Sequence, residues 1–415
     1  MSLNFANAIN KAQSLKATES ISSRLPYLDR TRGLIMVFMA LDHALFFWSS
    51  GRINNEGLPL LIHGAVTFNP LGDSSALAYI VMFLSGICAP GFFFIAGYVL
   101  ALSIQKRELL GISSSSINHH LWRRGMFLIT LQVFIASPAF NLPLLIQAKS
   151  LSAVTWGTFF SFSVLSTIGI GFFLLSLGRH ISPWKLFSIT GLFYLFSQFL
   201  LPGFTRNYPS HKAIEQAWQA ILVLPIPFSP ESFVNNNFPV LPWLLPMALG
   251  WLYGHTYAKN RGIAYEARRF AISGFGSLAL FFSFRFSGIG DYLLPDGTFQ
   301  GFFGLSKYPP SPDYFLLNLG LVFVLLFLFY KLPQTSRLGG ILEDFGRVPL
   351  LFYCTHLWLY AALPALLTNF NEYSLTFGVA IWFLGLLILY PLCHGYLKIS
   401  QRQLQADMFI NLVDD

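Results

Sequence analysis

An all-α, polytopic membrane helix bundle with about ten transmembrane helices and both chain ends in the cytoplasm is the fold this sequence predicts. Three observations carry the prediction. Of 415 residues, 54% are hydrophobic and 17% aromatic, while only 11% are charged, against roughly 25% charged in a soluble domain. Ten apolar segments recur along the chain, each near the length needed to cross the roughly 30 Å hydrocarbon layer. Finally, the cations crowd into alternate connections between those segments, which is how membrane topology is written.

The first 23 residues are polar and weakly amphipathic, without the short apolar core and small-residue cleavage site of a signal peptide, so a cytoplasmic segment leading into an uncleaved anchor is expected. Residues 24–398 are expected to form one transmembrane unit and residues 399–415 a cytoplasmic tail. The predicted spans are 33–49, 79–104, 121–137, 154–177, 184–201, 239–258, 268–285, 312–330, 347–368 and 377–397. With the amino terminus inside, twenty of the 26 lysines and arginines lie on the inner side. Five lie outside (Arg52, Lys149, Arg206, Lys212 and Lys307), and Arg285 stands near the outer end of a span. The outer connections 50–78, 202–238 and 286–311 are long and rich in Pro, Gly, Asn and aromatic residues, which predicts ordered loops. Within them, residues 211–224 place Ile214, Trp218, Ile221 and Leu222 on one side, as a helix lying in the outer interface would.

Several classes are excluded by the same inventory. No polar segment is long enough to bury a soluble core. The net charge of +8 is scattered in short clusters, so no nucleic-acid partner is expected. Cys88, Cys354 and Cys393 fall inside predicted spans without CxxC or Cys/His spacing, so neither a disulfide framework nor a metal site is expected. The lipid bilayer is the partner that composition demands; a homo-oligomer is compatible with it.

The most informative stretch runs from Arg24 to Ser49, where a basic entry leads into an apolar helix carrying Asp42 and His43. Arg32 and His43 are eleven residues apart, about 1100° of rotation and about 16 Å of rise, so they share a helical face. Ionisable groups at that depth are costly, on the order of 2.5–3.5 kcal/mol for a charge, and usually face a protein interior or a wet cavity. A neutral imidazole there could take a proton from a hydroxyl or amine attacking a thioester; the bland alternative is a core histidine bonded to Asp42 or a neighbouring carbonyl. Asp42 lies 100° from His43 on the helix and is a weaker catalytic candidate. His356, nine residues and about 13 Å beyond Arg347, reaches a similar level on a second span and is the third. Arg30, Arg32, Arg123 and Arg124 are the cations placed to meet phosphates of a cytoplasmic nucleotide donor, although such arginines commonly serve only as helix anchors. On the outer side, His63 and Arg285 are candidates for binding an acceptor, Arg285 with snorkelling as its alternative.

Taken together, Tyr27-Leu28-Asp29-Arg30-Thr31-Arg32-Gly33, Leu41-Asp42-His43, Cys88-Ala89-Pro90-Gly91-Phe92-Phe93-Phe94-Ile95-Ala96-Gly97, Lys307-Tyr308-Pro309-Pro310-Ser311 and Gly346-Arg347-Val348-Pro349-Leu350 resemble the heparan-alpha-glucosaminide N-acetyltransferase-like family, in particular its bacterial members. The spacing from Arg32 to His43 is also similar to the first helix of membrane acyltransferases that modify surface polysaccharides. The resemblance implies a multi-helix enzyme of the inner (plasma) membrane that takes an acyl group from cytoplasmic acetyl-CoA, with no metal, and delivers it to a sugar or glycan on the far side. In the animal members the active histidine follows the first helix, toward the outer loop, and the position matching His43 is not histidine. His63 is the only histidine of that loop here, so the polysaccharide-acyltransferase pattern favours His43 and the animal pattern favours His63. Two other classes fit the composition: a transporter or flippase of a glycan or lipid-linked sugar, suggested by Pro/Gly-broken spans, and a membrane scaffold with a partner on its outer loops.

Overall fold

A computed structural model describes residues 24–53, 75–147, 160–205, 210–226, 233–257, 262–333, 335–367 and 371–413. Its helices of ten or more residues are, in chain order, α1 (Pro26–Trp48), α2 (Ala76–Gly86), α3 (Cys88–Leu109), α4 (Ser114–Leu131), α5 (Val164–Gly178), α6 (Pro183–Thr205), α7 (Ala213–Leu222), α8 (Val240–Tyr257), α9 (Gly262–Phe286), α10 (Pro312–Lys331), α11 (Arg337–Arg347), α12 (Pro349–Leu367) and α13 (Leu375–Val413). The chain is nearly all-α. A two-residue parallel pair, β1 (Ser161–Phe162) with β2 (Asn235–Asn236), is its one sheet among the described residues and gives the Asn235–Asn237 stretch the order predicted for it.

Each of the ten predicted spans overlaps helical chain, although 79–104 is split between α2 and α3 and the described part of 154–177 is helical only from Val164 on; the described helices are not equally suited to lipid. Six stretches are long and apolar enough to cross a membrane: α1, the α2–α3 run, α6, α10, α12 and α13. The other four fall short for physical reasons. Helix α4 carries Arg123 and Arg124, α9 carries Glu266, Arg268, Arg269 and Arg285, α8 dilutes its apolar residues with prolines, glycines and His255, and α5 is only 15 residues long. The predicted span 79–104 is interrupted after Gly86. Pro90 has no N–H to give the Gly86 carbonyl four residues back, and that carbonyl instead accepts the Tyr314 hydroxyl at 2.7 Å.

Helix α1 is the hub, packing against α2, α3, α10, α11, α12 and α13. Pro26 occupies its first turn, where no N–H is required, and Asp29 in that turn suits the positive helix end. Close crossings are made by glycine. A Cβ on Gly33 would strike the Leu342 carbonyl and one on Gly346 the Asp29 carbonyl, so α1 and α11 meet backbone to backbone; Gly97 and Gly250 do the same for α3 and α8. Small residues at such crossings are how membrane helices gain packing when lipid is as apolar as leucine. Around this core, α6 and α13 turn Leu192, Phe196, Phe199, Leu384, Leu387 and Ile388 outward, as lipid-facing helices do. Helix α7 exposes Ile214, Trp218 and Ile221 as predicted, whereas Leu222 turns inward to pack with Leu201, Val223 and Leu224.

Candidate active site

The α1–α11 crossing fixes the level of the two histidines. Gly33 and Gly346 touch there; His43 lies ten residues and about 15 Å further along α1, and His356 seven residues and about 11 Å into α12, which starts at Pro349 just past the crossing. The imidazoles meet: His43 Nδ1 and His356 Nε2 are 2.8 Å apart, with the rings stacked at 5.1 Å between centroids. His356 is fully buried, and its Nδ1 is 2.8 Å from the Phe352 carbonyl oxygen. These contacts fix the tautomers of a neutral pair. A carbonyl only accepts, so His356 Nδ1 carries the hydrogen and Nε2 the lone pair; His43 Nδ1 must then donate, leaving His43 Nε2 with its lone pair uncommitted to His356. The half-buried His43 ring is bounded on another side by the edge of Phe140, at 5.0 Å between centroids. Phe140 arrives there because α4 passes into a π-helical turn, Gln132–Ala136, followed by a turn begun at Ser137-Pro138.

Three hydrogen bonds close the helices around the pair. Trp48 Nε1 donates to the Tyr360 carbonyl at 3.0 Å, the Tyr360 hydroxyl to the Trp382 carbonyl at 2.9 Å, and Trp382 Nε1 to the Val37 carbonyl at 3.0 Å. The circuit runs from α1 to α12 to α13 and back.

Asp42 belongs to a different arrangement. Its carboxylate forms a two-pronged pair with Arg52, which donates Nε to Oδ1 at 2.9 Å and Nη2 to Oδ2 at 3.1 Å. The pair lines a tightly packed crevice with Ala78, Val81, Met82 and Leu375, too narrow to hold a water molecule. Met82 also borders a second, larger cleft of about 30 Å³, walled by Phe83, Phe303, Leu305 and Leu317 with Lys307 and Asn318 as polar groups. The Lys307 ammonium acts electrostatically on both Asp42 and His43. Arg52 and Lys307 enter the site only in the folded molecule; the outer Lys307-Tyr308-Pro309-Pro310 motif was the available signal for the second.

The family model described as heparan-alpha-glucosaminide N-acetyltransferase, catalytic, matches residues 60–285, more than half of the chain. The chain belongs to this family. It is a multi-pass membrane acyltransferase. No curated protein matches the chain.

The stretch matched by the heparan-alpha-glucosaminide N-acetyltransferase model begins beyond His43, includes His63, Arg123 and Arg124, and ends at Arg285. His63 lies outside the described residues. Arg123 and Arg124 are exposed on α4, free of the helix-anchoring geometry of the α1 arginines. Arg30 is buried, donates Nη1 to the Leu332 carbonyl at 2.9 Å and stands 3.6 Å from Glu343, while Arg32 Nη1 donates to the Gly346 carbonyl at 2.8 Å and to Asp29 at 3.2 Å. Both therefore staple α1 to the α11 region. Arg285, also buried, points inward: Nε donates to the Phe302 carbonyl at 2.8 Å, Nη1 to that of Leu293, and Nη2 to those of Gly301 and Gly304 at 2.6 and 3.2 Å. It organises the 287–311 loop instead of presenting its donors to an acceptor. In the same loop, burial holds the Asp291 carboxyl above the usual carboxylate range.

Proposed function

We propose that this acyltransferase moves an acetyl or other short acyl group from cytoplasmic acyl-CoA, acetyl-CoA first, to a sugar or glycan acceptor on the far side of the inner membrane, with His43 as the reacting base. The observation that carries the proposal is the chain of contacts from the Phe352 carbonyl through His356 to His43, which orients the imidazole and leaves Nε2 able to accept a proton. In direct transfer, the acceptor hydroxyl or amine attacks the thioester carbonyl carbon, its proton passes to His43 Nε2, the C–S bond breaks, and the departing thiolate is protonated. In a two-step variant His43 Nε2 itself attacks the thioester carbonyl carbon and the C–S bond breaks to release the coenzyme A thiolate; the acceptor then displaces the imidazole from the resulting acyl-imidazole, and its proton passes through the freed imidazole to the thiolate. His356 is the positioning partner in either route, and the Asp42–Arg52 pair shapes the adjoining crevice.

Exposed Arg123 and Arg124 are the proposed contacts for coenzyme A phosphates, since Arg30 and Arg32 are engaged in helix contacts. Ten passes with both ends inside are proposed on the overlap of each predicted span with helical chain and on the twenty-to-five distribution of cations. The deciding experiment incubates purified protein with labelled acetyl-CoA and glycan acceptors, comparing the wild type with His43→Ala and His63→Ala. His43→Ala should abolish transfer while the protein still folds and inserts. Undiminished turnover in His43→Ala, with loss in His63→Ala, would move the reacting role to the outer loop.

A further inference from the structure

The outer end of α10 holds a buried carboxylate that the acyl-transfer chemistry does not use. Asp313, in the first turn, is fully buried, and neither of its carboxylate oxygens has a hydrogen-bond partner among the described residues. A carboxylate so placed is strongly unfavourable unless a positive charge or a proton accompanies it. Its surroundings add negative charge: Asp291 is near enough to act on it electrostatically and accepts hydrogen bonds from the Ser311 hydroxyl, from the Ser306 N–H at 3.1 Å and from the Leu293 N–H at 2.9 Å. The cation close by, Arg285, does not pair with either acid, because its donors go to the carbonyls of Phe302, Leu293, Gly301 and Gly304. Gly290, at φ +90°, closes one side of the site, and a Cβ there would run into the Asp313 carboxylate. A further oxygen, the Tyr292 hydroxyl, is also buried without a partner, and it interacts electrostatically with Asp291.

We propose that Asp313, with Asp291 beside it, binds a small hard cation, Na⁺ or Ca²⁺, that ties the 287–311 loop to the head of α10. The available donors are oxygens, which suits hard cations. Among the described residues no group of three His, Cys, Asp or Glu side chains is placed to hold a metal ion, so beyond the two carboxylates the remaining ligands of this site would be hydroxyl or carbonyl oxygens and water. The consequence is local order next to the larger cleft, since Tyr314 follows Asp313 directly and shares that cleft with Lys307. The competing occupant is a proton, which would leave Asp313 a neutral acid.

The test uses the full chain purified in detergent, exchanged into choline chloride and titrated with NaCl or CaCl₂ at constant ionic strength. Wild-type protein should show a saturable rise in thermal midpoint of at least about 2 °C with one of the two salts, together with binding of about one ²²Na⁺ or ⁴⁵Ca²⁺ per molecule. Asp313→Asn should lose both the shift and the bound ion, whereas Glu372→Gln, a change at an exposed acid elsewhere on the outer side, should keep both. A wild type that binds neither isotope overturns the proposal whether or not Asp313→Asn folds, and so does a shift of equal size in Asp313→Asn.

Discussion

At the scale of single residues, the His43–His356 contact makes separable predictions. His356→Leu removes the acceptor for His43 Nδ1–H, so kcat should fall roughly 10- to 100-fold, a part of the usual general-base contribution, while the KM for acyl-CoA changes little. His356→Gln keeps a carbonyl acceptor and should retain more activity than Leu; equal losses would show that orientation of the ring is not what His356 provides. Arg285→Lys should fail through stability and not through substrate. A lysine cannot span the four carbonyls that the guanidinium reaches, so a loss of at least about 2 kcal/mol is expected, read as a lower thermal midpoint without acceptor-selective change in KM. His43 was legible at its level along α1, because rise per residue is fixed and can be counted from Arg32, whereas the count from Arg347 to His356 passes through the non-helical Val348 between α11 and α12 and gave that level only approximately. Their lateral contact was not legible, since it depends on which helices become neighbours. The engagement of Arg285 was hidden more deeply, because its partners are backbone carbonyls presented by the fold of a loop.

At the scale of elements, the backbone contact between α1 and α11 should be intolerant of even one methyl group. Gly33→Ala places a Cβ against the Leu342 carbonyl and should destabilise by about 1–3 kcal/mol. Gly276→Ala, on α9 where nothing stands within 4 Å, should be neutral or stabilising by up to about 1 kcal/mol through helix propensity. Thermal unfolding of the two variants side by side checks the pair, and equal effects would contradict the crossing. The long apolar helices were well marked in the sequence by their hydrophobic length, whereas the polar, amphipathic α11 lay between two predicted spans unannounced. The break after Gly86 was signalled by Pro90 but concealed within an unbroken hydrophobic run, and the π-helical turn that delivers Phe140 had only Pro138 to announce it.

At the scale of the whole molecule, the distribution of cations predicts which surfaces face the cytoplasm. A cysteine replacing exposed Gly297 in the 287–311 loop should react with a membrane-impermeant maleimide from outside intact cells, whereas one replacing Gln403 should react only after permeabilisation. The reverse pattern would overturn the orientation. Hydropathy was sufficient to recognise a polytopic helical protein, but not to decide how many of its helices meet lipid, because α4, α8 and α9 carry charge, prolines or histidine that interior packing can accommodate. The bonded circuit of Trp48, Tyr360 and Trp382 bears on traffic to the reacting atom. With α1, α12 and α13 laced together, those three helices cannot easily part to admit a thioester. Phe46 and Phe140 meet at 5.8 Å beside His43, and in the proposed reaction the bulk of those two rings would act as a throttle on how large an acyl group can reach that imidazole.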